Sequence, residues 1–555
     1  MIRFVIAATT TLLPFASLAA AQEHEHPVAD AQALGQTSFS TSCASEVRED
    51  FDRAVAMLHS FWYQAAEQAF RAVASEDPSC AMAYWGVAMS RFHQLWKNPG
   101  PEDVGVARAA LEKARAVEST SERERAYLAA LERFYRDADR VDHLTRVVAY
   151  EGAMREIHER YPDDSEAAIF HALALLATAS ESPPDRTFAR QNEAAAILER
   201  ILAEQPDHPG VAHYLIHSSD YPPLAGRALE AARRYAEIAP GAPHALHMPS
   251  HIFTRLGLWQ ESILSNQAAS AAAREDGWIG QELHATDYLV YAYLQGAQDR
   301  EAERILDMLP RRSAELSADD TNYGSGLYAA AAIPARFAVE RRRWTEAAAL
   351  EVPRDVLPGG SSCWAEAPLH LARGLGAVHT GDLGAARRAM EELERCRAFL
   401  LGAGEAAEAS GVNVGLWANR LEMQRLGVEA WLALAEGREE EALALMRSAA
   451  DLEDSGDKPS TTPGSVVPAR ELLGEMLLEV GRPADALAEF ERALETTPNR
   501  FRSLHGAARA AELSSDVEGA RQYYAKLLEV SRWADSERPE LGDAKRFLAG
   551  KRAGG

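Results

Sequence analysis

The sequence predicts an all-α chain, an α-solenoid of antiparallel helix pairs. Three observations point there. Alanine, leucine, glutamate and arginine dominate the 555 residues, a composition that favours helix. No alternating apolar and polar run bounded by turn residues stands out as a strand. Helical segments recur with short turns marked by Gly or Pro, and 34 residues separate His213 from His247 and His217 from His251.

Taken in order, residues 1–21 read as a secretory signal peptide. Arg3 precedes an apolar run that ends in Ala19-Ala20-Ala21, the small-residue pattern of a cleavage site before Gln22. The mature chain is therefore expected to be periplasmic or secreted. No later stretch approaches the roughly 18 unbroken apolar residues of a membrane span. Residues 22–45 form a polar N-terminal arm, expected to be mobile over 22–42. Its His24 and His26 read as a solvated pair.

Residues 46–310 are expected to form an N-terminal array carrying the histidine cluster, with units starting near Val47, Ala81, Ser165, Pro209, Pro243 and Leu283. Pro78, Pro206 and Pro240 close three of them. Residues 98–164 are helical but fit the frame poorly, and 177–190 look like an inserted loop. Residues 311–454 hold central helical repeats, with starts near Ala367 and Met423 and turn-rich connections at 310–325 and 352–366. Residues 455–466 read as a linker. A C-terminal pair of units fills 467–535, starting near Val467 and Phe501, and 536–555 is a tail expected to fray.

Cleavage would leave 57 basic against 83 acidic residues, a net charge of −26. Such a surface repels nucleic acid and favours solubility, cationic partners or metal ions. Four cysteines in an oxidising compartment suggest disulfides. Three pairings are possible; Cys43–Cys80 with Cys363–Cys396 is the economical one, because each pair is local. No CxxC spacing argues for thiolate metal ligands.

The clearest repeat is residues 468–498. Gly474, Gly481, Ala486, Phe490, Ala493 and Pro498 fall where a tetratricopeptide unit places its small, aromatic and helix-ending residues. The chain resembles the tetratricopeptide repeat family over most of 47–535, and HALHMPSHIFTRLGLW (244–259) looks like a segment of exported bacterial repeat proteins. The resemblance implies a right-handed superhelix with a concave groove that holds a peptide or protein partner.

In that family the second, fifth, ninth and thirteenth positions of each unit's first helix line the groove. This makes His213 fifth and His217 ninth in one unit. His244, His247 and His251 are second, fifth and ninth in the next, and His284 and Asp287 second and fifth in the one after. His59 is thirteenth in its unit. Trp85 would line the groove with Met89 and His93, whereas His171 would point into the core and hydrogen-bond locally. Five of the 17 histidines fall within residues 213–251. Pairs four apart share a helix face, the spacing of helical zinc sites.

Neighbouring helices about 8–10 Å apart would let imidazoles from adjacent units share one ion. His213, His217, His247, His251, His244 and His284 are therefore candidate ligands for a divalent transition metal: Zn, Cu, Fe or Ni. Asp220 and Asp287 are candidate ligands or ring-orienting groups, and Arg255 could pair with an anionic ligand. Pro249 should kink or start a helix inside the cluster.

Three functions remain open. The first is an exported binding scaffold with a metal site, where a small-molecule ligand could join the ion. The second is a metal-dependent enzyme with an open histidine-ligated position. The third is a metal-free interaction scaffold. No GxSxG, P-loop, Rossmann fingerprint, HExxH or CxxCH motif occurs, which argues against hydrolase, nucleotide, dinucleotide or c-type haem chemistry.

Overall fold

A computed structural model describes residues 34–550, apart from 96–97, 319, 321, 405–406, 408–411 and 460. The leader, His24 and His26 lie outside the described residues. Among these residues the regular structure is α-helix with short 3-10 turns, and there is no strand. Each helix packs against its sequence neighbours, which gives the α-solenoid of helix pairs that the pattern predicts.

Several unit starts coincide with helix starts: Arg48–His59, Ala81–Met89, Ser165–Glu181, Pro209–Ser219, Pro243–His247, Ala367–Thr380 and Phe501–Leu513. The repeat chemistry is visible at Phe490. A Cβ on Gly474 would lie 2.8 Å from its ring and one on Gly506 2.3 Å away. Glycine at both positions lets one aromatic ring wedge between two flanking first helices. Phe70 uses Gly86 in the same way. The poorly fitting stretch 98–164 holds three helices, Pro101–Arg115, Glu122–Tyr135 and His143–Arg160.

Pro249 does break the helix. Pro243–His247 and Pro249–Arg255 are separate segments joined through Met248. The His251 N–H donates to the Met248 carbonyl at 3.1 Å, a tighter turn than an α-helix makes. This brings His251 round without ending the helical path.

Three expectations about irregular segments are corrected. The described part of the arm is not loose: Leu34 and Phe39 are buried, and the Phe39 N–H donates to Asp52 Oδ1 at 2.9 Å. The tail forms the helix Pro539–Leu548, and Arg538 is buried against Asp299. The segment expected as a linker is an internal strap. Its Pro459, Thr462, Pro463 and Gly464 are buried, and Arg336 donates to the Ser465 and Gly464 carbonyls at 2.8 Å each. Its polar, turn-rich composition reflects backbone groups that partner buried side chains, not solvent.

The C-terminal units fold back on the middle of the array. Trp259 donates to the Asn499 carbonyl at 2.8 Å, and Arg500 bridges Glu471 and Glu340. Both disulfides form in the economical pairing, Cys43–Cys80 and Cys363–Cys396. No described helix is long and apolar enough to cross a membrane.

Candidate metal centre

The six candidate histidines converge on two points, not one. His213, His217 and His244 form one triad, and His247, His251 and His284 form a second. In each, the ligand-capable nitrogens lie within 4.8 Å of one another. The six candidate ligands thus divide between two groups and do not gather at one point. The physical reason is the stagger between units. The second-position ring of each following helix reaches back to the fifth and ninth positions of the helix before it.

Local sequence sets up this geometry. Pro209 starts the helix Pro209–Ser219, and Asp220 ends it ahead of Pro222 and Pro223, which cannot continue it. Asp220 is thus held just beyond His217, facing the next unit. Its Oδ2 accepts from His251 Nδ1 at 2.9 Å and from Lys458 Nζ at 2.9 Å. Its Oδ1 accepts from Arg255 Nε at 2.8 Å. Arg255 therefore orients Asp220, and Asp220 orients His251. Burial pushes the Asp220 carboxyl up, but Lys458, Arg255 and His251 outweigh it and hold the group well below the ordinary carboxylate range.

Asp287 does not take the expected part. Its two oxygens accept from Arg336 Nε at 2.7 Å and Nη2 at 3.3 Å, both side chains buried. Arg336 claims it for the contact with the strap. Trp85 is also not a groove residue: it is buried beside Phe39, Tyr127 and Phe170. His171 is in the core as expected, but its ring nitrogens have no hydrogen-bond partner among the described residues.

Hydrogen bonding fixes the tautomers in the second triad. Asn266 Nδ2 donates to the Ser262 carbonyl at 2.8 Å, so Oδ1 is the atom facing His247. His247 Nδ1 therefore carries the proton it gives to Asn266 Oδ1 at 2.8 Å. His251 Nδ1 likewise gives its proton to Asp220. Both Nε2 atoms are then bare lone pairs, and they face each other at 3.1 Å. His284 hydrogen-bonds the Thr461 backbone, which leaves its Nδ1 without a hydrogen-bond partner among the described residues.

The first triad is built alike but is less closed. His213 Nδ1 donates to the His59 carbonyl at 2.6 Å, and its Nε2 faces His217 Nε2 at 3.1 Å. His213 is fully buried, while His217 and His244 are partly exposed. His217 can supply a proton to this pair, so the first pair is satisfiable where the second is not.

Burial holds all six rings below the ordinary imidazole range, helped by neighbouring histidines for all but His251 and by Lys458 for His217, His247, His251 and His284. His217 and His284 are pushed down to about 3, and His213, His244 and His247 lie well below the usual value. His251 is lowered less, because Asp220 opposes burial. At neutral pH the face presents uncharged imidazoles, the form that binds metal.

Several contributing groups carried little sequence signal. Asn266 lies on a second helix, Lys458 and Thr461 on the strap, and His208 just ahead of Pro209. Glu166 was findable, since it is the second residue of the unit starting at Ser165. It accepts from His59 Nε2 at 2.9 Å and from His208 Nε2 at 3.1 Å, while His59 Nδ1 meets the Tyr214 hydroxyl at 2.9 Å. This cluster fixes His59, whose carbonyl in turn aims His213. Gly210 makes room for it, since a Cβ there would lie 2.5 Å from His59 Nδ1.

No family model matches this chain, and no curated protein does. Among solved structures, that of Naa15/Naa10 bound to HypK-THB is similar at 11% identity and a TM-score of 0.24, over 90% of this chain and 73% of that one. A likeness at that level carries nothing about function.

Proposed function

We propose that the protein is an exported helical scaffold that binds divalent transition-metal ions on its inner histidine face. One observation carries the reading: His247 Nε2 and His251 Nε2, both lone pairs, face each other at 3.1 Å. Two buried acceptors in contact are unfavourable unless a cation or proton sits between them. A shared proton would put a buried charge beside Lys458 and Arg255. A metal ion with bonds of about 2.0–2.1 Å holds adjacent ligand nitrogens roughly 2.9–3.4 Å apart, and 3.1 Å falls in that range.

The surroundings support the same reading. Ring N–H groups turned to Asp220, Asn266 and a backbone carbonyl are the outer partners that metal-bound histidines use. An all-imidazole donor set suits Zn, Cu, Fe or Ni. Export rests on the leader sequence and fits the two disulfides. A peptide or protein partner for the concave face follows from the tetratricopeptide resemblance.

The test is elemental analysis of the purified mature protein. The expected outcome is stoichiometric metal that is lost in His247→Ala/His251→Ala while helicity by circular dichroism is kept. Metal-free wild-type protein that takes up none on reconstitution would overturn the proposal. The partly exposed edge at His217 and His244 favours a second reading. A three-histidine ion with an open position is the arrangement of a metal-dependent enzyme that activates water.

A further inference from the structure

Resting on that metal-binding reading, we propose that each triad is a separate site for one divalent transition-metal ion. The chain then holds two ions that exchange at different rates. The geometry repeats. In the first triad the ring centroids are 4.8 Å apart for His213–His217, 5.0 Å for His213–His244 and 6.4 Å for His217–His244. In the second, the corresponding distances are 5.0 Å for His247–His251, 4.5 Å for His247–His284 and 6.4 Å for His251–His284.

Each set takes the fifth and ninth positions of one unit and the second position of the next. The motif is therefore one site built twice by the same stagger. The two sites meet on one short helix, where His244 serves the first and His247 the second, with centroids 6.5 Å apart. One ion reaches ligand atoms no more than about 4.2 Å from each other, twice its bond length. Each triad gathers its ligand atoms within 4.8 Å of one another, close to that reach, whereas the six rings do not form one such group.

The access differs. Beside the second triad lies the strap. Lys458 reaches Asp220 at 2.9 Å and Tyr288 at 3.4 Å, Tyr288 donates to the Thr462 carbonyl at 3.1 Å, and Thr461 meets His284. Arg336 clamps the same strap through Thr462, Gly464 and Ser465. All three second-triad histidines are buried, whereas two of the first triad are partly exposed. An ion in the second site leaves only when the strap lifts, a local opening with its own free energy. An ion in the first site, where His217 and His244 are partly exposed, is expected to reach a chelating ligand more readily.

The experiment strips the full mature chain with a chelator, reloads it with Zn²⁺ alone and follows release to a chromogenic chelator. Two equivalents are expected, one leaving roughly an order of magnitude more slowly than the other. His213→Ala/His244→Ala should remove the fast equivalent, and His247→Ala/His284→Ala the slow one. Lys458→Ala should speed the slow phase and leave the fast one alone. If the double variants misfold, the single changes His217→Ala and His284→Ala carry the same contrast. One equivalent abolished by either double variant would mean a single shared site and overturn this inference, with metal binding itself intact. Two equivalents leaving at one rate would also overturn it. No bound Zn²⁺ at all would instead sink the metal-binding reading.

Discussion

His251 Nδ1 lies 2.9 Å from Asp220 Oδ2, so a carboxylate at the end of one repeat's first helix fixes the tautomer of a ring on the next. The same carboxylate is held by Arg255 and Lys458. One residue thereby ties together two repeats and the strap.

Replacing Asp220 with Asn should weaken binding at the second triad by about 10- to 100-fold, the usual loss when an outer partner of a metal-bound histidine is removed. It also leaves Lys458 and Arg255 without their counter-charge, so the melting temperature should fall. Competition titration against a chelator of known affinity gives the first effect and a thermal melt the second. Unchanged affinity would mean that Asp220 serves only the ion pairs.

Asn266→Leu should act on the second triad without touching any charge. It removes the acceptor that holds the proton on His247 Nδ1, and the ring can then turn its N–H toward His251. Metal content should drop while the far-ultraviolet spectrum stays helical. Asn266→Asp, which keeps an acceptor, should retain more metal than the leucine variant.

Gly210→Ala probes the support beneath the first triad. The new Cβ would meet His59 Nδ1 at 2.5 Å and Cγ at 2.7 Å, and that ring is pinned by Glu166 and Tyr214. Overpacking of this kind costs about 1–3 kcal/mol, readable as a lower urea midpoint. A variant as stable as the parent would show that His59 can move aside freely.

The metal-free protein should lose stability as the pH falls from about 6.5 toward 4, the window set by histidines outside the triads. Burial pushes His143, His171 and His505 down to about 4, with Arg146, His158 and Arg502 adding to the effect. The unfolded chain takes up these protons below its ordinary value of about 6.5, while the folded chain does not until about 4. Protonation therefore favours unfolding throughout that interval. Thermal melts at stepped pH check this; a flat profile between pH 6.5 and 5 would contradict it.

Each disulfide closes a loop, with sequence separations of 37 and 33. Chain entropy assigns such loops about 3–4 kcal/mol each. Cys43→Ser/Cys80→Ser should lower stability by that order, and the arm it anchors should become the first protease cleavage site.

Much of the site's cast could be read from residue spacing. Intervals of four and 34 put His213, His217, His247 and His251 on one inner face, and the repeat frame added His244 and His284. The same frame could not tell which rings meet. That depends on how far one helix is staggered against the next, a packing distance and not a periodicity. Asp287 shows the limit: its position in the frame is right for the face, yet Arg336, 49 residues away, takes its carboxylate.

By itself, the sequence determined an all-helical solenoid, the helix starts at Pro209 and Pro243 and a recurrent spacing of imidazoles, and it favoured the local cysteine pairing. These follow from short-range rules: propensity, proline geometry and a repeat length that stacking must honour. Only the tertiary structure decided that the imidazoles divide into two threes and that Asn266 and Asp220 fix the protons of the second. It also turned a supposed linker into a strap beside that triad. Those outcomes depend on side chains far apart in the chain arriving within hydrogen-bond distance, and no local pattern encodes such meetings.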